Sequence, residues 1–538
     1  MLDRVADESV DLIYIDPPFN SARQYNLLFK QVRGDPSPAQ IMAFEDTWKW
    51  DPTAMEEFQQ TCDHPRLRRL LDVLYDLIGE SEMMAYLVAM APRILSLSYK
   101  LKTTGSFYLH CDPAASHYLK LVCDLVFRAQ NFRNEIVWKR QSAHSDAKLK
   151  FANVSDTILF YGKSDRVKFR PVFCPHDPDY VRSFYRHDDH DGRGKYQLAD
   201  MSAPAGGGMA AINKATGLPN GWYKYKGFDP PPRGWRYSLE TMEKLDIAGR
   251  IHIPKLLDGR PDTKKRLRLK RYLEELQGQV VSNIWSDIPP LQSAGRSGEA
   301  RGYPTQKPVA LMERIIEASS DEGDVVLDAF CGCGTTVSAA QKLKRKWIGI
   351  DVTFLAINEI EERLMEEFGL EKGTDFRVEG LPADLDAARE FFNLTRKDSH
   401  KQFEMWAVGL VNGQPREKKG GDRGIDGDLW LESTIHDTSI APIQVKGGGL
   451  NPSIVRDFAH VIEREKAPIG ALITLERPTR GMEQEALSLG TVESAGRKVP
   501  RLQMLPIEQL LQKEVGLAVP DGYYIRPSRY RIQGKLRI

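Results

Sequence analysis

VVLDAFCGCGTTVSAA, residues Val325 to Ala340, decides the fold. Its first residues make a short β-branched run that suits a buried strand, and Asp328 ends it. Phe330, Gly332 and Gly334 follow in a Gly-rich loop, where glycine permits a tight turn and close approach of backbone to a ligand. Thr335 and Thr336 open a helix whose first amides lack intrahelical partners. A lone loop of this kind is weak, but the next strand, KWIGID, ends on Asp351. An acidic residue there takes a ribose hydroxyl pair in nucleotide-type folds, and the two features together suggest an adenosyl ligand. ATP hydrolysis is not indicated, because YGKS at Tyr161 to Ser164 has Thr157 where a phosphate-binding loop needs its upstream glycine.

Outward from this loop the chain alternates helix and strand. Apolar spacing predicts a helix over 82–102, a turn near Gly105 and the strand SFYLH, then a helix over His117 to Phe127. Glu135 to Trp138 and Thr157 to Tyr161 read as strands, as does Lys346 to Asp351 after a helix at Pro308 to Ser319. The N-terminal run DLIYIDPPFN, Asp11 to Asn20, is a buried strand stopped by prolines that cannot donate ladder hydrogen bonds. In a parallel sheet that end is where ligands bind, so Asp16 and Phe19 would face a site, although Asp and Pro also punctuate ordinary turns.

A chain of 538 residues exceeds what one core usually serves, and 41% hydrophobic with 28% charged residues is an ordinary globular composition. No apolar run is long enough for a membrane helix and no signal pattern opens the chain, which predicts a cytoplasmic protein without a membrane partner. Six cysteines without a C-x-x-C pair argue against a zinc ribbon or a disulfide framework. The net charge of +1 hides one cluster: Arg250 to Arg271 holds nine Lys and Arg against Asp258 and Asp262. That cluster is either a solvated face or, with Trp222, Tyr223, Tyr225, Trp235 and Tyr237 nearby, a surface for phosphates and bases.

DPPF at Asp16 to Phe19, TQKP at Thr305 to Pro308 and FCGCG at Phe330 to Gly334 are the motifs of one family. With GSFYLHCD at Gly105 to Asp112 and FRNEIVWKR at Phe132 to Arg140, the chain resembles an amino-group DNA methyltransferase of the β arrangement over residues 1 to 365. In that circularly permuted family the catalytic motif precedes the target-recognition region, which precedes the S-adenosyl-L-methionine loop. The resemblance implies that Asp16 and the Pro17 carbonyl accept the hydrogens of an exocyclic amine on a flipped base, with Pro18 fixing the turn and Phe19 stacking on the base. It implies that Phe330, Gly332 and Gly334, with Asp328 and Thr335 beside them, cradle the methionine end of the cofactor. Asp351 would hold its ribose, and Thr305 with Lys307 its polar tail. An acidic first position favours adenine N6 over cytosine N4.

A second constellation lies in the C-terminal block, where GGDRGIDGDLWLE precedes APIQVKGGG. Asp426, Gln444 and Lys446 fall near the ends of two strands, where Asp426, the Gln444 side chain and the Val445 carbonyl could hold a divalent ion, with Glu404 as a further ligand or orienting group and Lys446 polarising a water. This spacing resembles the Mrr-type variant of the PD-(D/E)XK restriction-endonuclease-like fold, with Mg2+ implied for the nuclease-like domain. A turn aspartate and an exposed strand-end lysine are the plain alternative.

The expected architecture is α/β: a doubly wound, circularly permuted Rossmann-like methyltransferase sheet with an inserted recognition region, plus a C-terminal α/β restriction-endonuclease-like domain. Its parts are a catalytic half at 1–164, a target-recognition region at 165–300, a cofactor-binding half at 301–369, a linker at 370–398 and the nuclease-like domain at 399–538. The expected function is DNA methylation coupled to a nuclease in restriction and modification or phage defence. Double-stranded DNA is the expected partner, with a second copy of the chain or a separate restriction or specificity subunit as candidates. The alternatives are a silent DNA-binding nuclease fold, or a non-enzymatic DNA-binding protein.

Overall fold

The computed structural model describes residues 1–18, 24–27, 41–45, 48, 50, 52–60, 64–141, 151–204, 221–291, 299, 301, 306–352, 354–382, 384–393, 399–416, 424–433, 438–494, 497–520 and 523–525. They divide into two units, one made of Met1–Arg170 with Asn283–Ile538 and the other of Pro171–Ser282.

The larger unit is built on a seven-stranded sheet. Its strands are β1 (Val10–Ile15), β2 (Leu101–Cys111), β3 (Phe132–Lys139), β4 (Ser155–Gly162), β5 (Ile284–Trp285), β6 (Val325–Asp328) and β7 (Lys346–Gly349), in the spatial order β5-β3-β4-β2-β1-β6-β7. β1 runs parallel to both β2 and β6, and β6 parallel to β7, while β4 is antiparallel to β2 and β3. Both faces of the centre are covered. Ile13, Ile15, Phe107 and Leu109 share a core with α1 (Glu82–Lys100) and α2 (Pro113–Phe127). On the other face the Tyr108 hydroxyl lies 2.7 Å from Ser319 Oγ, at the end of α3 (Val309–Ser319). The chain leaves β1 for β2 on one side and β6 for β7 on the other, through α4 (Thr335–Lys342), so a crevice opens between the loops after β1 and β6.

Gly105, expected in a turn, lies inside β2. A Cβ there would come within 2.6 Å of Leu101 Cδ1 and 3.0 Å of the Asp11 carbonyl oxygen, so glycine here serves the close approach of β1 rather than a change of direction. The stretch 370–398, expected as a linker, also holds structure: α6 (Leu385–Phe392) packs Leu385, Ala388, Phe391 and Phe392 into the C-terminal core. α5 (Phe354–Phe368) precedes it, and α7 (Ser399–Gly409) follows.

The C-terminal block is α/β. β8 (Gln414–Pro415), β9 (Gly427–Ser433), β10 (Thr438–Lys446), β11 (Gly470–Thr474) and β12 (Leu502–Pro506) lie in sequence order, β9 antiparallel to β10 and β10 to β12 parallel. Phe403, Trp406, Ile443, Ala471 and Ile473 are buried in its core, and Phe354 from α5 packs against it. By backbone contacts this block groups with the seven-stranded sheet rather than apart from it.

The smaller unit holds a four-stranded antiparallel sheet of His187–Asp188, Lys195–Asp200, Arg268–Tyr272 and Ile251–His252. Tyr225, Phe228, Trp235, Met242 and Leu267 form its core. Its incoming strand Phe173–Cys174 pairs with its outgoing strand Gln279–Val280, and the Val281 amide donates to the Val172 carbonyl at 2.9 Å. Among the described residues no helix is long and apolar enough to cross a membrane.

Candidate active site

β1 and β6 bring the two sequence motifs to one end of the sheet, because Tyr14 and Asp328 are in register as parallel neighbours. Two residues past Tyr14, Asp16 ends the strand, followed by Pro17, which is buried, and Pro18, which is half-buried. Phe19 and Thr305 lie outside the described residues. Lys307, which is 9% exposed, places its ammonium on Asp16 Oδ2. The lysine expected at the cofactor's polar tail thus reaches the expected catalytic carboxylate.

Asp328 shapes the Gly-rich loop. Its Oδ1 accepts from the Phe330 amide at 3.0 Å and its Oδ2 from Thr336 Oγ1 at 2.5 Å. Asp351 holds the same loop from β7, its Oδ2 accepting from the Gly332 amide at 2.9 Å. Gly332 and Gly334 adopt φ of 47° and 75°, in the left-handed region that favours glycine. At Gly334 a Cβ would lie 2.6 Å from Ile360 Cγ1, so that position is glycine because α5 packs onto it. Thr335 is buried, and its Oγ1 accepts from Arg363 at 3.4 Å. Phe330 is half-buried and packs against the core beside Leu327.

Three carboxylates, Asp16, Asp328 and Asp351, stand at this end of the sheet, and Lys307 pairs with the first. Burial first, and then the neighbouring carboxylates of Asp16 and Asp351, raise the Asp328 carboxyl to about 7, against the bonds from Thr336 and Phe330 that oppose the rise. A cationic ligand suits such a site. The positive charge of S-adenosyl-L-methionine, a sulfonium and an ammonium against one carboxylate, suits the excess of carboxylates over Lys307 here.

Beneath Asp16 runs a buried polar chain that sequence reasoning missed. The Tyr14 hydroxyl lies 2.8 Å from His110 Nδ1, His110 Nε2 lies 3.1 Å from Asp156 Oδ2, and Arg140 pairs with Asp156 Oδ1 at 3.1 Å. His110 is fully buried, and Trp138 meets its ring edge-on. Burial would raise the Asp156 carboxyl, but the His110 hydrogen bond and the charges of His110, Lys307 and Arg140 hold it below its ordinary value. Within SFYLH a histidine reads as one more core residue, so only its polar partners on β1 and β4 could have marked it.

The sequence profile of a DNA methylase family, the N6/N4 type, matches residues 10–362. This chain belongs to that family. The type II methyltransferase M.EcaI of Enterobacter cloacae is 33% identical over 281 residues, 52% of this chain and 57% of that protein. The StyLTI Mod subunit, of a type III restriction-modification enzyme from Salmonella typhimurium, is 25% identical over 63% of this chain and 47% of its own length. The chain thus spans about half the length of these curated relatives. Among solved structures, the cytosine-N4-specific PvuII DNA methyltransferase aligns over 67% of this chain and 81% of its own, at 13% identity and a TM-score of 0.30.

The second constellation is brought together in part. Asp426 sits just before β9, its amide donating to the Ile443 carbonyl and its Oδ2 accepting from the Val445 amide at 2.8 Å. Gln444 Nε2 donates to the Gly424 carbonyl at 3.1 Å, which leaves its Oε1 buried without a hydrogen-bond partner. Lys446 ends β10 in register with Thr474. Glu404 is half-buried on α7. Among the described residues no three His, Cys, Asp or Glu side chains converge to hold a metal, so a divalent ion here would depend on the Gln444 side chain and a main-chain carbonyl beside Asp426.

In the basic cluster of the smaller unit five of the nine Lys and Arg pair with carboxylates. Arg250 pairs with Glu275, Arg260 with Asp258, Lys265 with Asp262, Arg268 with Asp200 and Lys270 with Asp189. Of the aromatics expected to stack on bases, Tyr225 and Trp235 are buried and Tyr223 and Tyr237 pack against them, so these rings build a core instead. Trp222 remains exposed.

Proposed function

We propose that this methylase transfers a methyl group from S-adenosyl-L-methionine to an exocyclic amine of a base flipped out of duplex DNA, adenine N6 in preference to cytosine N4. The observation that carries the reading is the shared crevice: Asp16 just after β1 and Asp328 at the end of the adjacent parallel β6. When bound, the cofactor supplies an electrophilic methyl group on a sulfonium. The amine lone pair is delocalised into the base ring. Asp16 and the Pro17 carbonyl accept its hydrogens and draw the lone pair out of conjugation, Pro18 keeps the carbonyl in place, and Phe19 stacks on the base. Phe330, Gly332 and the loop held by Asp328 take the methionine end, Asp351 the ribose, and Thr305 the polar tail, with Lys307 shared between tail and Asp16.

The type II methyltransferase and type III Mod relatives support a role in restriction and modification, with a separate restriction subunit as partner. Tritium transfer to unmethylated DNA tests the reading, and transfer that survives Asp16→Ala sinks it. Mass spectrometry of the nucleosides then separates N6-methyladenine from N4-methylcytosine.

A second reading concerns the C-terminal block, which we infer to be a nuclease-like fold that grips DNA. The orphaned Gln444 Oε1 beside Asp426 and Lys446 supports a polar ligand there. DNA left intact with magnesium under all conditions would leave the block a silent binding module, whereas fragments lost with Lys446→Ala would make it a nuclease.

A further inference from the structure

The smaller unit carries a projecting finger. Ile251–His252 pairs with Leu269 and Arg268, and the hairpin runs on past them to a bridge between Lys255 and Pro261. Main-chain hydrogen bonds close the tip. The Leu256 amide donates to the Arg260 carbonyl at 2.8 Å, the Gly259 amide to the Leu256 carbonyl at 3.0 Å, and the Asp262 amide to the Pro254 carbonyl at 2.8 Å. Gly259 takes φ of 83°, which closes the turn. The base is anchored, since Ile251, Leu267 and Leu269 belong to the unit's core.

At this tip, where a polar turn would be ordinary, stand two leucines. Leu256 is 47% exposed and Leu257 is fully exposed. Around them Lys255, Arg260, Lys264, Lys265 and Arg266 are all exposed, against two carboxylates, Asp258 and Asp262, that pair with Arg260 and Lys265. An anionic membrane surface would match the leucines and the cations together, but the chain belongs to a DNA methylase family, which makes duplex DNA the occupant. Its phosphates flank stacked bases, and apolar side chains inserted between base steps unstack and kink it.

We propose that the Leu256–Leu257 tip is a wedge that enters the base stack of the DNA substrate while the surrounding Lys and Arg seat on its phosphates. The proposal rests on duplex DNA being the substrate, as in the reading above. Flipping a base needs its stack opened, and an apolar tip closed by main-chain hydrogen bonds supplies that opening without titratable chemistry.

The test uses the full chain and a duplex selected from a random pool by binding alone, with 2-aminopurine placed at successive steps. Wild type should brighten the probe at one step. Leu257→Ala, and Leu256→Ala combined with Leu257→Ala, should abolish the signal and weaken binding about tenfold, leaving the salt slope of affinity unchanged because the phosphate contacts remain. A mismatch placed at that step should restore the variants' affinity, which a merely structural role would not explain. Leu257→Gln serves should the alanine variants fail to fold. Unchanged fluorescence and affinity in the variants would overturn the wedge, as would a loss of self-association by the variants in the absence of DNA. Tritium transfer on the same duplex keeps the outcomes apart: no transfer by wild type defeats the methyl-transfer reading and leaves the wedge judged by fluorescence.

Discussion

Lys307 Nζ closes on Asp16 Oδ2 across 291 residues of chain, and both side chains are largely buried. The pair joins the DPPF and TQKP motifs directly. Removing the lysine leaves a carboxylate short of a neutralising charge, so Lys307→Met should lower the rate of methyl transfer by about 100-fold. Lys307→Arg should recover part of it. Single-turnover tritium transfer at saturating cofactor checks this, and a defect confined to cofactor KM would instead tie Lys307 to the cofactor alone.

Asp328 gives the protein a pH signature. Its carboxyl is raised to about 7, so the folded state holds its proton more tightly than the unfolded chain does. The protein alone should therefore lose stability as pH rises from the ordinary carboxylate range to about 7. A cationic cofactor favours the ionised form, so S-adenosyl-L-methionine affinity should climb about tenfold between about pH 6 and 8. Calorimetric titration across that range reads it, and Asp328→Asn should flatten the profile.

The Tyr14–His110–Asp156 chain should be felt in stability. Tyr14→Phe strands the buried His110 Nδ1 and should cost about 1–3 kcal/mol in urea unfolding, with His110→Ala costing more. Asp156 is held below its ordinary value, so its contribution is present at neutral pH and is lost as the solution is acidified below that value. An unfolding midpoint for His110→Ala that falls with acid as steeply as wild type would contradict this coupling.

Gly334→Ala meets two obstacles, the φ of 75° and Ile360 Cγ1 at 2.6 Å from the new Cβ. A loss of about 2–4 kcal/mol is expected, with weaker cofactor binding because the loop shifts. Ile360→Ala in the same chain should recover the steric share, and a double-mutant cycle on thermal midpoints measures it.

Local signals made the sheet legible. The apolar runs around Val326 and Ile13 and the Gly-rich punctuation between strand and helix are short-range patterns, and they identified β1, β6 and the loop that Asp328 anchors. What stayed hidden was non-local. Gly105 looked like a turn because nothing near it in sequence announces the Asp11 carbonyl beside it. His110 was indistinguishable from the apolar residues flanking it until Asp156, 46 residues away, was placed opposite. In 370–398 the apolar positions Leu385, Ala388, Phe391 and Phe392 already carried a helical period, but the surrounding charge masked it. Asp426 lies just before β9 and Gln444 within β10, while their hydrogen bonds to Val445 and Gly424 depend on main-chain groups that no motif records.

The hydrogen bond between Val281 and Val172 means that the smaller unit begins and ends at almost the same point in space. A segment whose ends already meet can be exchanged as a cassette, because the scaffold must bridge only one narrow gap whatever the cassette contains. Grafting residues 171–282 from a relative should therefore alter which DNA is addressed while leaving the chemistry of the crevice to its own scaffold.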